Sequence, residues 1–452
     1  MIRYGVDTFR GFRGRLRYWL SARDCYGSIS LMVALAFALG ITPYLVRRSS
    51  QGESSLEQSW YGFVNAISRW LLLAYCYSYI NMSNESLIGY FMKNHVSQIS
   101  TKLHDIGGIV VAIFTFIIPL LLRKHFLRSV KTMVQVDQQL ERLRSPVNFN
   151  TVVGQVVLVV SAVVLVDTIL LTTCLVCLSK MEVYASWQLT FIMVYELMCV
   201  SITICMFCLM TRTVQRRFTC LHKVLKNLAH QWDSRTLKAV TQKQRSLQCL
   251  DSFSMYTIVT KDPAEIIQES MEIHHLICEA AATANKYFTY QLLTIISIAF
   301  LIIVFDAYYV LETLLGKSKR ESKFKTVEFV TFFSCQMILY LIAIVSIVEG
   351  SNRAIKKSEK TGGIVHSLLN KTKSAEVKEK LQQFSMQLMH LKINFTAAGL
   401  FNIDRTLYFT ISGALTTYLI ILLQFTSNSP SNGYGNGGSC CETYNNMTNH
   451  TL

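Results

Sequence analysis

The chain has 452 residues, of which 51% are hydrophobic and 16% charged, and its mean hydropathy is +0.33. This composition is too apolar for an ordinary soluble protein of that length and indicates a membrane protein. The formal net charge of +16 is interpreted as basic cytoplasmic loops rather than as a nucleic-acid surface. Long apolar runs exclude a β-barrel, a collagen-like repeat, a disordered chain and a secreted disulfide scaffold.

The first apolar run, residues 28–46, is not predicted to cross the membrane. Gly40 and Pro43 interrupt it, and Arg47 and Arg48 follow it directly. The basic residues that precede it would lie outside the cell if it crossed. Residues 1–57 are therefore expected to form a cytoplasmic arm with a helix along the membrane surface.

Seven later apolar runs are long enough to cross about 30 Å of hydrocarbon as helices. The sequence thus predicts an all-α membrane protein with seven transmembrane helices. The predicted spans are 58–82, 105–122, 152–178, 187–211, 287–312, 326–349 and 405–426.

The distribution of basic residues predicts a cytoplasmic N-terminus and an extracellular C-terminus. With that orientation, 35 of the 44 lysines and arginines lie in cytoplasmic segments, 8 lie outside, and Arg69 lies within a span. Five of the outside residues form one dissenting group between 317 and 325. Four candidate glycosylation sites fall on the outside, which agrees with this orientation: Asn81, Asn84, Asn446 and Asn449. The orientation is opposite to that of a G-protein-coupled receptor.

The predicted domains follow these spans. A six-helix bundle covers 58–349 with a cytoplasmic loop at 212–286, an anchor covers 350–404, and an extracellular tail covers 427–452. Helices are expected to start at Asp262–Pro263 and at Ser374, because Asp and Ser are good N-caps and Pro suits the first turn. Residues 229–260 are predicted as a loop. The fourth to seventh spans are expected to continue as helices into a shared cytoplasmic bundle.

No catalytic, metal or cofactor site is predicted. The pairs Cys174–Cys177 and Cys205–Cys208 resemble a four-thiolate site, but the predicted spans place them roughly 30 Å apart. The sequence Gly316-Lys317-Ser318 lacks the glycine that a phosphate-binding loop requires five residues earlier. We therefore expect neither an enzyme nor a bound cofactor.

Ionisable residues at membrane depth are the first candidates for a functional site, because they are costly there. Arg69 and Asp167 either neutralise each other as a buried ion pair or belong to a polar pocket among the first six spans. Such a pocket, open to the outside, would bind a small organic molecule. Its candidate residues are Arg69, Tyr75, Asp167, Glu196, Asp306 and Tyr309.

The last span has a second candidate site. It is rich in small and hydroxyl residues, which either permit tight helix packing or line water. Thr417, Ile421 and Gln424 are spaced by four and three residues, so they share one face. An aliphatic ring followed by an amide ring is one way to gate an ion pore.

Residues 417–425, TYLIILLQF, match the TYhhhhhQF signature of the insect gustatory receptors in full (h is a hydrophobic residue). The chain therefore resembles that family, and the stretches 21–26 and 144–150 resemble its 28b type. The resemblance implies a ligand-gated, non-selective cation channel in the plasma membrane of sensory neurons, built as a homotetramer or heteromer around its seventh helices. Ile421, Gln424 and Phe425 would form the gate region, and Tyr418 would pack the pore helix. Relatives of this type are associated with bitter compounds, warmth and light.

Two other functions stay open from the residues alone. A transporter would be favoured by inverted repeats and helices broken by Gly or Pro. Only Gly107-Gly108 and Pro119 resemble such breaks. A metabotropic receptor would require a cytoplasmic C-terminus.

Overall fold

The computed structural model describes residues 22, 24–48, 54–86, 95–180, 184–242, 262–315 and 326–428. These ranges are helical apart from two short antiparallel hairpins, in agreement with the predicted all-α class. The elements are α1 (Cys25–Ala38), β1 (Tyr44–Arg48), β2 (Ser54–Gln58), α2 (Trp60–Ser83), α3 (His95–Leu121), α4 (Arg123–Arg142), α5 (Phe149–Lys180), α6 (Trp187–Gln242), α7 (Pro263–Leu314), α8 (Thr326–Lys371), α9 (Ala375–His390), β3 (Thr396–Ala397), β4 (Phe401–Asn402) and α10 (Thr406–Asn428).

Among the described residues, six helices are long and apolar enough to cross a membrane: α3, α5, α6, α7, α8 and α10. They coincide with the second to seventh predicted spans. The first predicted span, 58–82, forms α2, which has 24 residues. This helix carries Asn65, Ser68 and Arg69 and is not apolar enough to join the six. By length and composition the described chain therefore supports six spans, one fewer than predicted.

The N-terminal apolar run forms α1, which is too short to span a bilayer. Its 14 residues extend about 21 Å, compared with about 30 Å of hydrocarbon. Asp24 caps the helix by accepting a hydrogen bond from the backbone N of Gly27 at 2.7 Å. After the helix the chain turns at Gly40, whose φ of +75° suits glycine. Because Met32 and Ala36 are buried and α1 packs on α5 and β1, protein contacts cover part of the predicted surface helix.

The helices of the fourth to sixth predicted spans continue well beyond the thickness of a membrane. α6, α7 and α8 have 56, 52 and 46 residues, and their inner parts pack with α4 and α9. α6 extends to Gln242, so the prediction of a loop from residue 229 is wrong for 229–242. Extending an existing helix needs no new nucleation, which explains a helix without a strong apolar pattern. Residues 243–261 lie outside the described part of the chain.

The inner bundle has a buried aromatic centre. The ring of His274 on α7 lies 5.7 Å from that of Phe218 on α6 and 5.7 Å from that of Phe384 on α9. α7 begins where the sequence predicts, and the Asp262 carboxylate accepts a hydrogen bond from the backbone N of Ala264 at 3.4 Å. α9 also begins after its predicted cap, Ser374, although that side chain makes no capping hydrogen bond.

Candidate ligand cavity and pore helix

A cavity of about 560 Å³ lies between α3, α5, α6, α7 and α8. Its wall is mostly apolar, because these helices contribute Val, Leu, Ile and Phe from their inward faces. Polar groups are placed at intervals along it, from Ser100 at one end to Arg353 at the other. A largely apolar cavity of this size with a few polar groups is typical of a site for a small organic molecule.

Three of the six predicted pocket residues line this cavity: Asp167, Glu196 and Asp306. The Asp167 carboxylate accepts a hydrogen bond from Ser201 Oγ at 3.2 Å. Glu196 accepts one from the Tyr77 hydroxyl at 2.5 Å. Asp167 and Asp306 are only 5% and 3% exposed. The long helices thus bring together three carboxyl groups that are 29 to 139 residues apart in the sequence.

The other three predicted pocket residues do not line the cavity. Arg69 lies on α2, and its Nε donates to Asn65 Oδ1 at 3.4 Å. Tyr75 is 54% exposed and stacks on Trp187 with ring centroids 6.4 Å apart. Tyr309 is buried, and its ring lies 5.1 Å from that of Phe333.

The ion pair considered for Arg69 and Asp167 is absent from the described residues. Arg69 contacts its own helix, whereas Asp167 on α5 contacts Ser201 on α6. The hydrophobic pattern gives the depth of a residue in the membrane. It does not give the direction that the side chain faces or the order of the helices around the bundle, so equal depth was not sufficient evidence for this pair.

Several cavity residues were not selected from the sequence. Tyr77 is the hydrogen-bond donor to Glu196, although it does not itself line the wall. Aromatic and amide side chains complete the part of the cavity that contains Asp306, called here its outer part: Phe305, Phe332, Phe333, Gln336 and Tyr340. Tyr77 lies about two turns after Arg69 in the same predicted span, and that position was the available signal. Nothing in the sequence distinguishes inward-facing aromatic residues from those in an interfacial belt.

The end of the cavity that Arg353 lines, called here its inner end, carries charge and contacts the start of α10. Glu349, Arg353 and Arg212 line it. Arg405, directly before α10, donates from Nη2 to Glu349 Oε1 at 2.8 Å and from Nε to Glu349 Oε2 at 3.3 Å. One carboxylate therefore belongs both to the cavity wall and to the entry of the last helix.

α10 carries the predicted pore residues on a largely exposed helix. Thr417 and Gln424 are exposed, Tyr418 is 52% exposed and Ile421 is 39% exposed. The Tyr418 ring contacts that of Phe300 on α7 at 6.0 Å, and α7 is the principal neighbour of α10. Phe425 lies within α10, but its side chain is outside the described part of the chain.

Four of the hydroxyl groups of α10 bond within the helix. The side chains of Thr410, Ser412, Thr416 and Thr417 each donate to the backbone carbonyl four residues earlier, at 2.7–3.3 Å. Such bonds let hydroxyl residues face either lipid or a neighbouring helix without an unpaired donor. The hydroxyl pattern alone is therefore not evidence for a water-lined face.

Two of the four predicted glycosylation sites lie at the C-terminal end of α2. Asn81 is exposed in its last turn, and Asn84 is the exposed residue that ends the helix, with φ +51°. Asn446 and Asn449 lie outside the described residues.

Comparisons with known proteins agree with the helical architecture and the signature in α10. Residues 29–429 match a family model described as "7tm Chemosensory receptor". Gustatory receptor 28b of Drosophila melanogaster is 59% identical over 97% of this chain and 94% of that protein. Gustatory receptor 28a of the same species is 31% identical over 86% and 89%.

The fold resembles solved structures of an insect olfactory receptor. The structure of OR5 from Machilis hrabei aligns with a TM-score of 0.60 at 12% identity, covering 88% of this chain and 97% of that one. The structure of OR5 in complex with eugenol aligns with a TM-score of 0.57 over the same shares. At that identity the likeness concerns the fold alone. The family match and the two gustatory receptors establish that this chain belongs to the chemosensory receptor family, whose members include the insect gustatory receptors.

Proposed function

We propose that this protein is a ligand-gated, non-selective cation channel of sensory neurons. A small organic molecule binds in the cavity that α3, α5, α6, α7 and α8 enclose. The last helices of four subunits surround the pore. The four subunits are identical or include related receptors. No step of this mechanism needs an enzyme activity or a cofactor.

The exposed face of α10 is the observation that carries the proposal. Thr417, Ile421 and Gln424 share one face of the helix and are exposed in a single subunit. A helix that packs mainly on α7 alone leaves this face available for equivalent helices of other subunits. In that assembly Ile421, Gln424 and Phe425 form the gate region, while Tyr418 holds the helix against Phe300.

The remaining parts of the proposal rest on the topology and on the ligand of a similar fold. α2 crosses the plasma membrane as the additional span, with the N-terminus in the cytoplasm and the C-terminus outside. Four sites are then available for glycosylation: Asn81, Asn84, Asn446 and Asn449. The eugenol bound to OR5 supports a small organic ligand. Bitter compounds, warmth and light are the stimuli to examine first.

Whole-cell recording tests the pore assignment. Cells expressing the chain are stepped in temperature and given bitter compounds, with Gln424→Ala beside the unchanged protein. We expect a cation current whose permeability ratios or open probability change in Gln424→Ala at equal surface expression. Gln383→Ala on α9 is the matched control, because Gln383 is an exposed glutamine distant from α10 in the sequence. Currents unaltered by changes at Ile421, Gln424 and Phe425 would show that α10 does not form the pore.

A further inference from the structure

The outer part of the cavity has an unusual balance of charge. Three carboxyl groups line it, those of Asp167, Glu196 and Asp306. The arginines among the lining residues, Arg212 and Arg353, lie at the inner end beside Glu349. Arg212 is sixteen residues from Glu196 along α6, which is about 24 Å at 1.5 Å per residue. His104 is the remaining basic side chain on the described wall.

Two of these carboxyl groups are incompletely satisfied. Oδ2 of Asp306 and Oδ2 of Asp167 are buried and have no hydrogen-bond partner among the described residues. Both residues line the cavity and are more than nine-tenths buried. A buried carboxyl group without a partner takes up a proton unless a cation or donor compensates its negative charge. A ligand that brings a positive charge and N–H groups into the cavity supplies that compensation.

Aromatic rings lie on the same part of the wall. Phe305, Phe332, Phe333 and Tyr340 line it together with Asp306, and the Phe332 and Phe333 rings are 5.2 Å apart. The faces of aromatic rings attract organic cations, and their bulk favours an apolar ligand body. Carboxylate and aromatic groups together thus select an ammonium group on an apolar body.

We infer that the outer part of this cavity binds an organic ammonium ion, with Asp306 and Asp167 as its anionic partners. The inference deepens the proposed function, since it names the ligand class for the same cavity. A volume of about 560 Å³ accommodates an amine with an aromatic or alkyl body of drug-like size. Glu196 already accepts a hydrogen bond from Tyr77, so it is not assigned as a partner of the ammonium group.

Binding is tested on the purified full-length protein, without recording currents. The probes are matched pairs: 4-phenylbutylamine with 4-phenylbutan-1-ol, and benzyltrimethylammonium with neopentylbenzene. The readout is the shift in thermal unfolding midpoint as each probe is titrated. We expect the ammonium member of each pair to stabilise the protein at lower concentration than its neutral partner. Asp306→Asn should raise the half-saturating amine concentration about ten-fold or more, the usual effect of losing a charge-assisted hydrogen bond.

Glu312→Gln is the control variant. Glu312 lies six residues after Asp306 on α7, is 2% exposed and is not among the cavity-lining residues. It should leave amine binding unchanged. Neutral partners that bind as well as the amines, amines that bind Asp306→Asn and Asp167→Asn normally, or amines that do not bind at all would each overturn the inference. Amine binding without any current would leave the ligand class intact and would contradict a channel formed by this chain alone.

Discussion

Glu349 and Arg405 connect the wall of the cavity to the start of the last helix. Arg405 donates two hydrogen bonds to the Glu349 carboxylate, at 2.8 and 3.3 Å, and Arg353 Nε lies 3.5 Å from the same carboxylate. Arg405 immediately precedes α10, which begins at Thr406. Two hydrogen bonds between one guanidinium group and one carboxylate fix the relative orientation of the two side chains. A displacement of Glu349 would therefore also displace Arg405 and the base of α10.

This relationship predicts coupling between Glu349 and Arg405 in channel opening. Glu349→Gln and Arg405→Gln should each change the half-maximal agonist concentration by about two- to five-fold, the range for a partly exposed ion pair. The double variant should be no worse than the more affected single variant, because both remove the same interaction. Concentration–response curves for the four proteins measure this. Strictly additive shifts would show that the two residues act independently.

α4 forms two ion pairs with other helices, and these pairs differ mainly in burial. We therefore expect their loss to lower the free energy of unfolding by different amounts. Asp137 Oδ2 and Arg217 Nη2 are 2.6 Å apart, with side chains 11% and 2% exposed. Glu279 Oε1 and Arg128 Nη2 are also 2.6 Å apart, but their side chains are 31% and 69% exposed. We expect Asp137→Asn to destabilise the protein by about 3–5 kcal/mol, because it leaves a buried guanidinium without its counter-charge. Glu279→Gln should cost about 0–1 kcal/mol.

Thermal or urea unfolding of the purified protein measures this difference. Arg217 also contacts the Cys25 thiol at 3.2 Å. Burial raises the pKa of that thiol to about 12, so Cys25 is neutral at pH 7 and cannot replace the charge of Asp137. If Asp137→Asn and Glu279→Gln lowered the free energy of unfolding equally, burial would not determine how much these ion pairs stabilise the protein.

The apolar pattern predicted most of the fold, because the length of a run and its flanking charges fix where a spanning helix begins and ends. It left one span unconfirmed and was wrong for one segment, in each case for an identifiable reason. α2 has a polar stripe with Asn65 and Arg69, which lowers its mean hydropathy below that of the six apolar helices. Residues 229–242 are helical because α6 continues into them, although their own pattern is weak.

Three of the six predicted pocket residues line the cavity. The sequence indicates the depth of a residue in the membrane, but it does not indicate the direction in which the side chain points. Asp167, Glu196 and Asp306 face inward, whereas Arg69 at similar depth contacts Asn65 on its own helix. Two residues along a helix turn a side chain by about 200°, which is enough to move it from the cavity to the opposite face. For α10 the signature gave the residue set, but the exposed face emerged only from the packing of the helix on α7.

Gly107 and Gly108 are adjacent on α3, and we expect their substitution by alanine to change the stability of the protein in opposite directions. A Cβ at Gly108 would overlap the Tyr77 hydroxyl and lie 3.2 Å from Glu196 Oε2. Gly108→Ala should therefore displace Tyr77 and break its bond to Glu196, at a cost of about 1–3 kcal/mol. A Cβ at Gly107 meets only the flexible end of Ile298, at 3.0 Å. Gly107→Ala should be neutral or stabilising by up to about 1 kcal/mol, because alanine favours the helix.

The unfolding midpoints of both variants and of Gly108→Ala/Tyr77→Phe test this explanation. Removing the overlapping hydroxyl should recover part of the stability lost in Gly108→Ala. A double variant as unstable as the sum of its two single variants would indicate that the loss arises elsewhere than at Tyr77.

Glycosylation at the C-terminal end of α2 tests whether this helix crosses the membrane. The acceptors Asn81 and Asn84 are exposed, and they reach the lumenal enzyme only if α2 spans with its C-terminal end outside. Ser83→Ala and Ser86→Ala remove the two sequons while keeping Asn84, whose φ of +51° suits asparagine. We expect the electrophoretic shift on enzymatic deglycosylation to decrease in at least one variant. Ser78→Ala, an exposed α2 serine outside any sequon, is the control and should migrate like the unchanged protein. If both sequon variants and the control all retained the full shift, the glycans would lie elsewhere and α2 would lack this support as the seventh span.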